Sequence, residues 1–351
     1  MIHSNPILGT GLHALGGISA SSCYTPQTKV KNWSWGTFWL VQAFFAWIFV
    51  PILAGWLTVP GFFGILQKAP SDVLRGAFLL GALYGFGGMS FGFSIKHIGY
   101  SLTYTIAIGI SAVLGTLTPL IIYGGLSDYF TRPGSAIIIT GMILSVVGVG
   151  LCGWAGFRKE KDLLKLENKS VYFNMTTGLI LAIIAGVLSA VFNLSMEHGQ
   201  PIADMAAKNG AGNFEGNAKM IVSTSGCFVV NFIWFIVLGI KDKTLREFRV
   251  SENLPGTRLL KNTLWSALAG TLWFVQFLFY GLGHVQMGNY RFISWVLHMS
   301  MLIFFSFWIG LIMKEWKSVS KKTYITLIIA LITLVVSFVI MTVGSYLGEQ
   351  V

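Results

Sequence analysis

Ten apolar runs recur along this chain, and each is long enough to cross a lipid bilayer as a helix. A spanning helix needs about 20 residues, since each residue advances it by about 1.5 Å. The first run is rich in Gly, Ser and Ala; no basic segment precedes it, so we expect it to remain in the mature protein rather than act as a signal peptide. The predicted spans cover residues 6–28, 36–58, 73–95, 98–124, 134–156, 174–197, 217–240, 262–284, 289–313 and 322–347.

Composition agrees with an all-α integral membrane protein. The chain is 54% hydrophobic and 11% charged, against roughly a quarter charged in ordinary soluble domains. Its 41 glycines lie throughout the apolar segments, as expected where membrane helices pack closely. The net charge of +11 comes from residues between the apolar runs. They form no continuous basic face, so we predict membrane lipids as partners and no nucleic acid.

Enzymatic, metal and disulfide chemistry find little support in the sequence. Cys23, Cys152 and Cys227 each stand alone inside an apolar run, without the spacing of a disulfide framework or metal site. The chain contains no GxSxG, HExxH, Walker A or CxxC motif. We therefore predict that it is not an enzyme and has no metal or cofactor.

Basic residues between the spans predict the orientation. Cytoplasmic loops of membrane proteins carry an excess of Lys and Arg. With the N-terminus outside, 18 of the 24 Lys and Arg residues lie on the inner side. Both termini are then predicted to lie outside. The six basic residues left on the outer side are Lys68, Arg75, Arg132, Lys208, Lys219 and Arg291.

A charged linker divides the chain into two sets of five spans. Residues 157–173 contain RKEKDLLKLENK and separate a first half, 1–156, from a second half, 174–351. An odd number of spans in each half gives the halves opposite orientations, so any repeat must be inverted. Gly81-Ala-Leu-Tyr84 in span three and Gly270-Thr-Leu-Trp273 in span eight are similar in sequence, and this is a weak sign of a repeat between the two halves.

Span eight carries a stripe of polar and aromatic residues. Trp273, Gln276, Tyr280 and His284 follow at spacings of three, four and four. At about 100° per residue they share one helical face. A polar stripe in a membrane helix usually faces a cavity, so we predict a transport pathway here. Gln276 has an alternative role as an amide that joins two helices, and for His284 the aromatic belt at the membrane interface is the favoured role.

Other spans also carry polar side chains on one helical face. His13 and Tyr24 share a face in span one, and His298 lies near the middle of span nine. Asn193 and Glu197 share a face in span six that runs towards the outer surface, where Glu197 has a solvated carboxylate among the headgroups as its alternative role. A deep histidine is costly unless it is paired or functional. These groups suit a neutral sugar, because aromatic rings stack on its C–H face while amides, imidazoles and hydroxyls bond its hydroxyl groups.

Several motifs match a known family over nearly the whole chain. They are His13-Ala-Leu-Gly through Tyr24-Thr-Pro26, Lys29 to Trp35, Ile106 to Ile110, Gly115-Thr-Leu-Thr-Pro119, Leu272-Trp-Phe-Val-Gln276, Phe279-Tyr-Gly-Leu-Gly-His284, Ile293 to Ser300, and Lys314-Glu-Trp316. In these motifs the chain resembles the L-rhamnose–proton symporters, a bacterial branch of the drug/metabolite transporter superfamily.

The resemblance implies a transporter of ten helices in a five-plus-five inverted repeat. It implies a bacterial inner membrane location and proton-coupled uptake of L-rhamnose, and we predict L-rhamnose or a similar 6-deoxy sugar as the substrate. In that membrane the charge count predicts both termini to be periplasmic. The alternatives are a uniporter or sodium-coupled porter for another neutral sugar, and a receptor that binds sugar without moving it. The candidate sugar ligands are Trp273, Gln276, Tyr280, Asn193, Tyr84 and Tyr24, and the candidate proton carriers are His298, His13 and Glu197.

Overall fold

Helices dominate the computed structural model, which describes residues 4–23, 25–167, 174–251 and 255–350. Tight 3₁₀ turns occupy Thr25–Lys29, Gly212–Phe214, Thr244–Phe248 and Gly288–Ile293, and a π turn occupies Phe45–Phe49. The α-helices are α1 (Pro6–Ser22), α2 (Trp35–Phe44), α3 (Val50–Thr58), α4 (Phe62–Lys68), α5 (Ser71–Ile98), α6 (Tyr100–Tyr123), α7 (Leu126–Thr131), α8 (Ser135–Glu167), α9 (Met175–His198), α10 (Gln200–Lys208), α11 (Asn217–Lys241), α12 (Gly256–Gln286), α13 (Ser294–Ile312) and α14 (Lys321–Glu349).

Within the described ranges, nine helical segments are long and apolar enough to cross a membrane. They correspond to predicted spans two to ten, with α2, the π turn and α3 together forming one segment, Trp35–Thr58. The first predicted span is helix α1, which has 17 residues. Large apolar side chains such as Leu57, Trp56 and Ile240 are exposed, as expected on surfaces that face lipid. The chain is an integral membrane protein.

Two spans begin with a serine cap that an acidic side chain holds. At the start of α2, the Ser34 hydroxyl accepts from the Thr37 amide at 3.3 Å, and Glu247 accepts from the Ser34 amide at 2.7 Å. At the start of α14, Ser320 and Thr323 repeat this pattern, with Asp162 as the acid. Such caps satisfy amides that have no partner in the first helical turn. Both lie beside basic loops that the charge count assigns to the inner side.

Helix α8 continues into the segment that we predicted as a linker. It runs to Glu167, past the predicted span end at residue 156, and residues 168–173 lie outside the described part of the chain. The extension is rich in Lys, Glu and Leu, which favour helix. It is fixed by a 2.7 Å ion pair between Lys159 and Glu315, with the Lys159 ammonium 4.9 Å from the Trp316 ring centroid.

The chain divides into two compact units that do not follow the sequence halves. Unit 1 comprises Met1–Ile18, Gly87–Leu194 and Leu282–Val351, and unit 2 comprises Ser19–Phe86 and Ser195–Gly281. Each unit combines segments from both halves of the sequence. The predicted five-plus-five repeat relates the first half of the sequence to the second half, and the division into units does not test that relation. The repeat therefore stays a prediction.

Within unit 1, glycines allow α8 and α14 to pack closely. A Cβ at Gly148 would lie 2.8 Å from the Leu334 side chain, and a Cβ at Gly141 would lie 3.0 Å from the Met341 backbone nitrogen. Membrane helices gain little from hiding apolar surface, so small residues at the contact stabilise their association through close van der Waals packing.

Within unit 2, α5 and α11 cross with their backbones in contact. A Cβ at Gly226 would lie 2.7 Å from the Ala82 nitrogen and would overlap the Phe78 carbonyl oxygen. The Cys227 thiol donates to the Gly81 carbonyl at 3.1 Å. The short helices α4 and α10 were not among the predicted elements, and they pack together through Phe62, Ile202 and neighbouring apolar residues.

Candidate functional site

Three residues of the span-eight stripe lie buried in unit 2. Trp273, Gln276 and Tyr280 of α12 are all less than a tenth exposed. The Trp273 ring centroid is 4.9 Å from that of Phe277, which lies 6.3 Å from that of Tyr280. Trp273 and Tyr280 stand one turn before and one turn after Gln276 on this helix, and aromatic rings beside an amide match an apolar sugar face and its hydroxyl groups. His284, the fourth member, is half-buried and belongs to unit 1.

A proline gives span two its π turn beside this stripe. Pro51 has no N–H for the carbonyl of Trp47, four residues earlier, and a proline ring clashes with a carbonyl in that position. The helix accommodates it by widening over Phe45–Phe49, where the Val50 amide donates to Phe45. Such π turns often occur at functional sites.

Span two carries two tryptophans with different environments. The Trp39 indole N–H donates to Asn231 Oδ1 at 3.1 Å, and Asn231 in turn donates to the Gly85 carbonyl. The Trp47 ring packs edge-on against Trp273, with centroids 5.6 Å apart. Its indole N–H, and Oε1 of Gln42, are buried with no hydrogen-bond partner in the described part of the chain.

Sequence reasoning did not select Gln42 or Trp47, although both contact the α12 region. Two signals were available. Gln42 is a polar residue in an apolar run, and Pro51 stands inside the same run four residues after Trp47. A proline at that position predicts a distorted turn, and the side chains at a distorted turn merit inspection as ligands.

Two other sequence-selected residues lie in the described part of unit 2. Glu197 is half-buried on α9 and lies near Tyr280, so a sugar candidate and a proton candidate are close to one another. Tyr84 on α5 lies near Cys227 on α11. Tyr24 lies outside the described residues, and its predicted role stays a prediction.

The structure brings the two deep histidines together within unit 1. His13 of α1 and His298 of α13 have no exposed surface, and their ring centroids are 5.8 Å apart at an interplanar angle of 68°. Glycines make room for them, because a Cβ at Gly283 would lie 3.0 Å from the His13 ring. Two imidazoles this close cannot both carry a charge cheaply. The pair is therefore suited to holding a single added proton, and with it one positive charge.

The Asn193 side chain forms a hydrogen bond between two helices of unit 1. Its amide nitrogen donates to the Gly115 carbonyl of α6 at 2.8 Å, and a Cβ at Gly186 of α9 would lie 2.8 Å from the Ala107 carbonyl. The Asn193 amide thus helps to hold α9 against α6. The role of Asn193 as a sugar ligand stays a prediction, and its bond to Gly115 is no evidence for that role.

An apolar groove of 770 Å³ lies along α6, α8 and α9 of unit 1. Its walls include Ile110, Val113, Val149 and Trp154, and they contain neither of the deep histidines. A groove with so few polar groups matches a lipid chain better than a sugar, whose hydroxyls need partners.

Comparison with known proteins gives one family over nearly the full length. A family model described as L-rhamnose-proton symport protein matches residues 2–346. The L-rhamnose-proton symporter of Mannheimia succiniciproducens is 32% identical over 340 residues, covering 96% of this chain and 98% of the relative. That of Pectobacterium atrosepticum is 32% identical over 348 residues, covering 97% and 99%. The Escherichia coli strain UTI89 symporter is 32% identical over 347 residues, with the same coverage.

Proposed function

Because this chain belongs to the L-rhamnose-proton symport family, we propose that it carries L-rhamnose into the cell together with protons. The observation that carries the proposal is the match over nearly the whole chain. The buried His13–His298 pair supports it, because it packs against each other two side chains that can accept a proton. The protein is a multi-pass transporter and not an enzyme.

In this proposal each unit supplies one part of the chemistry. In unit 2, Trp273 stacks on the apolar face of the sugar and Gln276 bonds its hydroxyls, with Tyr280 and Tyr84 as further candidates. In unit 1, His298 or His13 takes the proton. Symport requires that protonation and sugar binding favour each other, and such coupling acts equally in both directions. Glu197, close to Tyr280, is the acidic alternative.

We also propose a bacterial inner membrane location and ten spans in a drug/metabolite transporter-like inverted repeat. Helix α1 supports the tenth span, since its 17 residues extend about 25 Å at about 1.5 Å per residue. Five spans in each half would give the halves opposite orientations.

Uptake by the purified protein tests the proposed function directly. Proteoliposomes should accumulate labelled L-rhamnose when the outside is made more acidic than the inside. Downhill movement without accumulation would indicate a uniporter, and accumulation that follows a sodium gradient alone would indicate sodium coupling. Binding without any uptake would indicate a receptor. Each of these three results would overturn the proposal.

Both termini are expected to be periplasmic. The 18 basic residues assigned to the inner side, against six outside, set this orientation. A fluorescent protein that matures only in the cytoplasm should stay dark when fused after Val351, whereas alkaline phosphatase at the same place should be active. The reverse pattern would refute the assigned orientation.

Replacing Gln276 by alanine should weaken sugar binding. Loss of one hydrogen bond to a neutral group lowers affinity by about 2- to 12-fold. Binding of L-rhamnose can be measured by calorimetry, with the thermal unfolding midpoint recorded alongside. Gln286 is a matched control, a buried amide on the same helix about 15 Å further along, and Gln286→Ala should leave affinity unchanged. If Gln276→Ala lowers only the unfolding midpoint, the amide joins helices and does not bind sugar.

A further inference from the structure

Two polar atoms in span two are buried without a partner. The Gln42 side chain is 3% exposed and the Trp47 side chain 4% exposed. Oε1 of Gln42 and Nε1 of Trp47 have no hydrogen-bond partner in the part of the chain that the structure describes. Leaving such a group unbonded costs about 1–3 kcal/mol. Two of them in one short segment indicate a place where a ligand supplies the missing bonds.

Trp39 shows that this segment can satisfy an indole when the role is structural. It lies two helical turns before Trp47 and donates to Asn231, which is itself held by backbone carbonyls of α5 and α11. The two rings touch at a centroid distance of 6.1 Å. Of these two tryptophans in span two, Trp39 has a hydrogen-bond partner for its indole N–H, whereas Trp47 has none among the described residues.

Both residues contact α12. Gln42 lies in α2, and Trp47 lies in the π turn that follows it. The main-chain carbonyl oxygen of Gln42 lies against Gly270, where an added Cβ would overlap it, and the Trp47 ring lies against Trp273. Gly270 and Trp273 are neighbours one turn apart on α12, and Gln276 follows on the same face.

We infer that Gln42 Oε1 and Trp47 Nε1 bind hydroxyl groups of the transported sugar, an inference that rests on the proposed function. An amide oxygen only accepts and an indole N–H only donates, whereas a sugar hydroxyl does both. Hydroxyl groups of one sugar ring can therefore satisfy both atoms. Trp273 lies against the Trp47 ring and provides the surface on which the apolar face of the sugar stacks.

Trp47→Phe and Trp39→Phe form the decisive pair of variants. Both keep an aromatic ring and remove one N–H. Trp47→Phe breaks no bond within the protein, so its thermal midpoint should stay near that of the parent while its affinity for L-rhamnose falls about 2- to 12-fold. Trp39→Phe leaves Asn231 Oδ1 without its donor. It should lower the thermal midpoint and keep the affinity.

Sugars that lack one hydroxyl identify the contact itself. The parent protein should bind the 2-, 3- and 4-deoxy analogues of L-rhamnose more weakly than L-rhamnose, and by unequal factors. In Trp47→Phe, the analogue that lacks the hydroxyl bonded by Trp47 should bind as tightly as L-rhamnose does, which is the coupling that a double-mutant cycle measures. Gln42→Met, which keeps the length of the side chain and removes its amide, should do the same for another hydroxyl. It also serves as the second variant if Trp47→Phe does not fold.

The outcomes separate this inference from the proposed function. If the parent protein does not bind L-rhamnose, the proposed function fails. If the parent binds it and both Trp47→Phe and Gln42→Met bind it equally well, the function stands and the two atoms are satisfied by ordered water. That second result would overturn the inference.

Discussion

A protein in which His298 is replaced by glutamine should still exchange rhamnose across the membrane but should not accumulate it. Glutamine keeps a hydrogen-bonding group of similar size and cannot titrate at physiological pH. Without a proton carrier the pH gradient can do no work on the sugar, so the final internal and external concentrations should be equal. Counterflow of labelled sugar in proteoliposomes measures exchange, and uptake after a pH step measures accumulation.

The control for this variant is a histidine of unit 1 away from the buried pair. His97 lies near the end of α5 and packs beside Gly178 of α9, so His97→Gln should accumulate sugar normally. Persistent accumulation by His298→Gln would move the proton to His13, its neighbour at 5.8 Å, or to Glu197. The corresponding variant of each, His13→Gln or Glu197→Gln, would then be the one that loses accumulation.

Gly226→Ala should unfold the protein at a markedly lower temperature. The added methyl group would meet the backbone of Phe78 and Ala82, and backbone atoms cannot rotate away as a side-chain tip can. Helices α5 and α11 must then separate, and overpacking of this kind costs about 1–3 kcal/mol, occasionally more. Thermal unfolding in detergent, monitored by size-exclusion chromatography of heated samples, measures the decrease in the unfolding midpoint.

Gly150→Ala provides the matched comparison, because Gly150 lies inside helix α8 and, among the described residues, an added Cβ would meet nothing within 4 Å beyond the backbone of its own helical turn. Alanine favours a helix over glycine by about 1 kcal/mol, so this variant should be as stable as the parent or more stable. If the two glycine variants unfold at the same temperature, the close crossing of α5 and α11 contributes little to stability.

The spans could be predicted because hydropathy reports directly on the exclusion of a segment from water. Span two is helical from Trp35 to Thr58, within a residue of its predicted start. The ends of α8 and α12 were less predictable. Beyond the membrane, helices continue as far as propensity and local contacts allow, and α8 is held out to Glu167 partly by partners in the loop after α13.

The lateral contacts could not be predicted, since hydropathy says which residues leave water and not which residues meet. His13 and His298 were each selected for their depth, but no local pattern relates α1 to α13. Asn193 was selected as a sugar ligand, and the structure adds its bond to Gly115. Trp47 was overlooked because an unbonded indole N–H is visible only when its surroundings are known.

Pro51 also determines which way span two is turned about its own axis. By removing one amide proton it leaves the Trp47 carbonyl without its usual main-chain donor, and hydrocarbon offers no substitute. That side of the helix must therefore face protein or water. Pro51 and Trp47 are accordingly buried, whereas Phe44, Phe49 and Leu53 are exposed. The rotational setting of this span is thus specified by its main chain, independently of how apolar its side chains are.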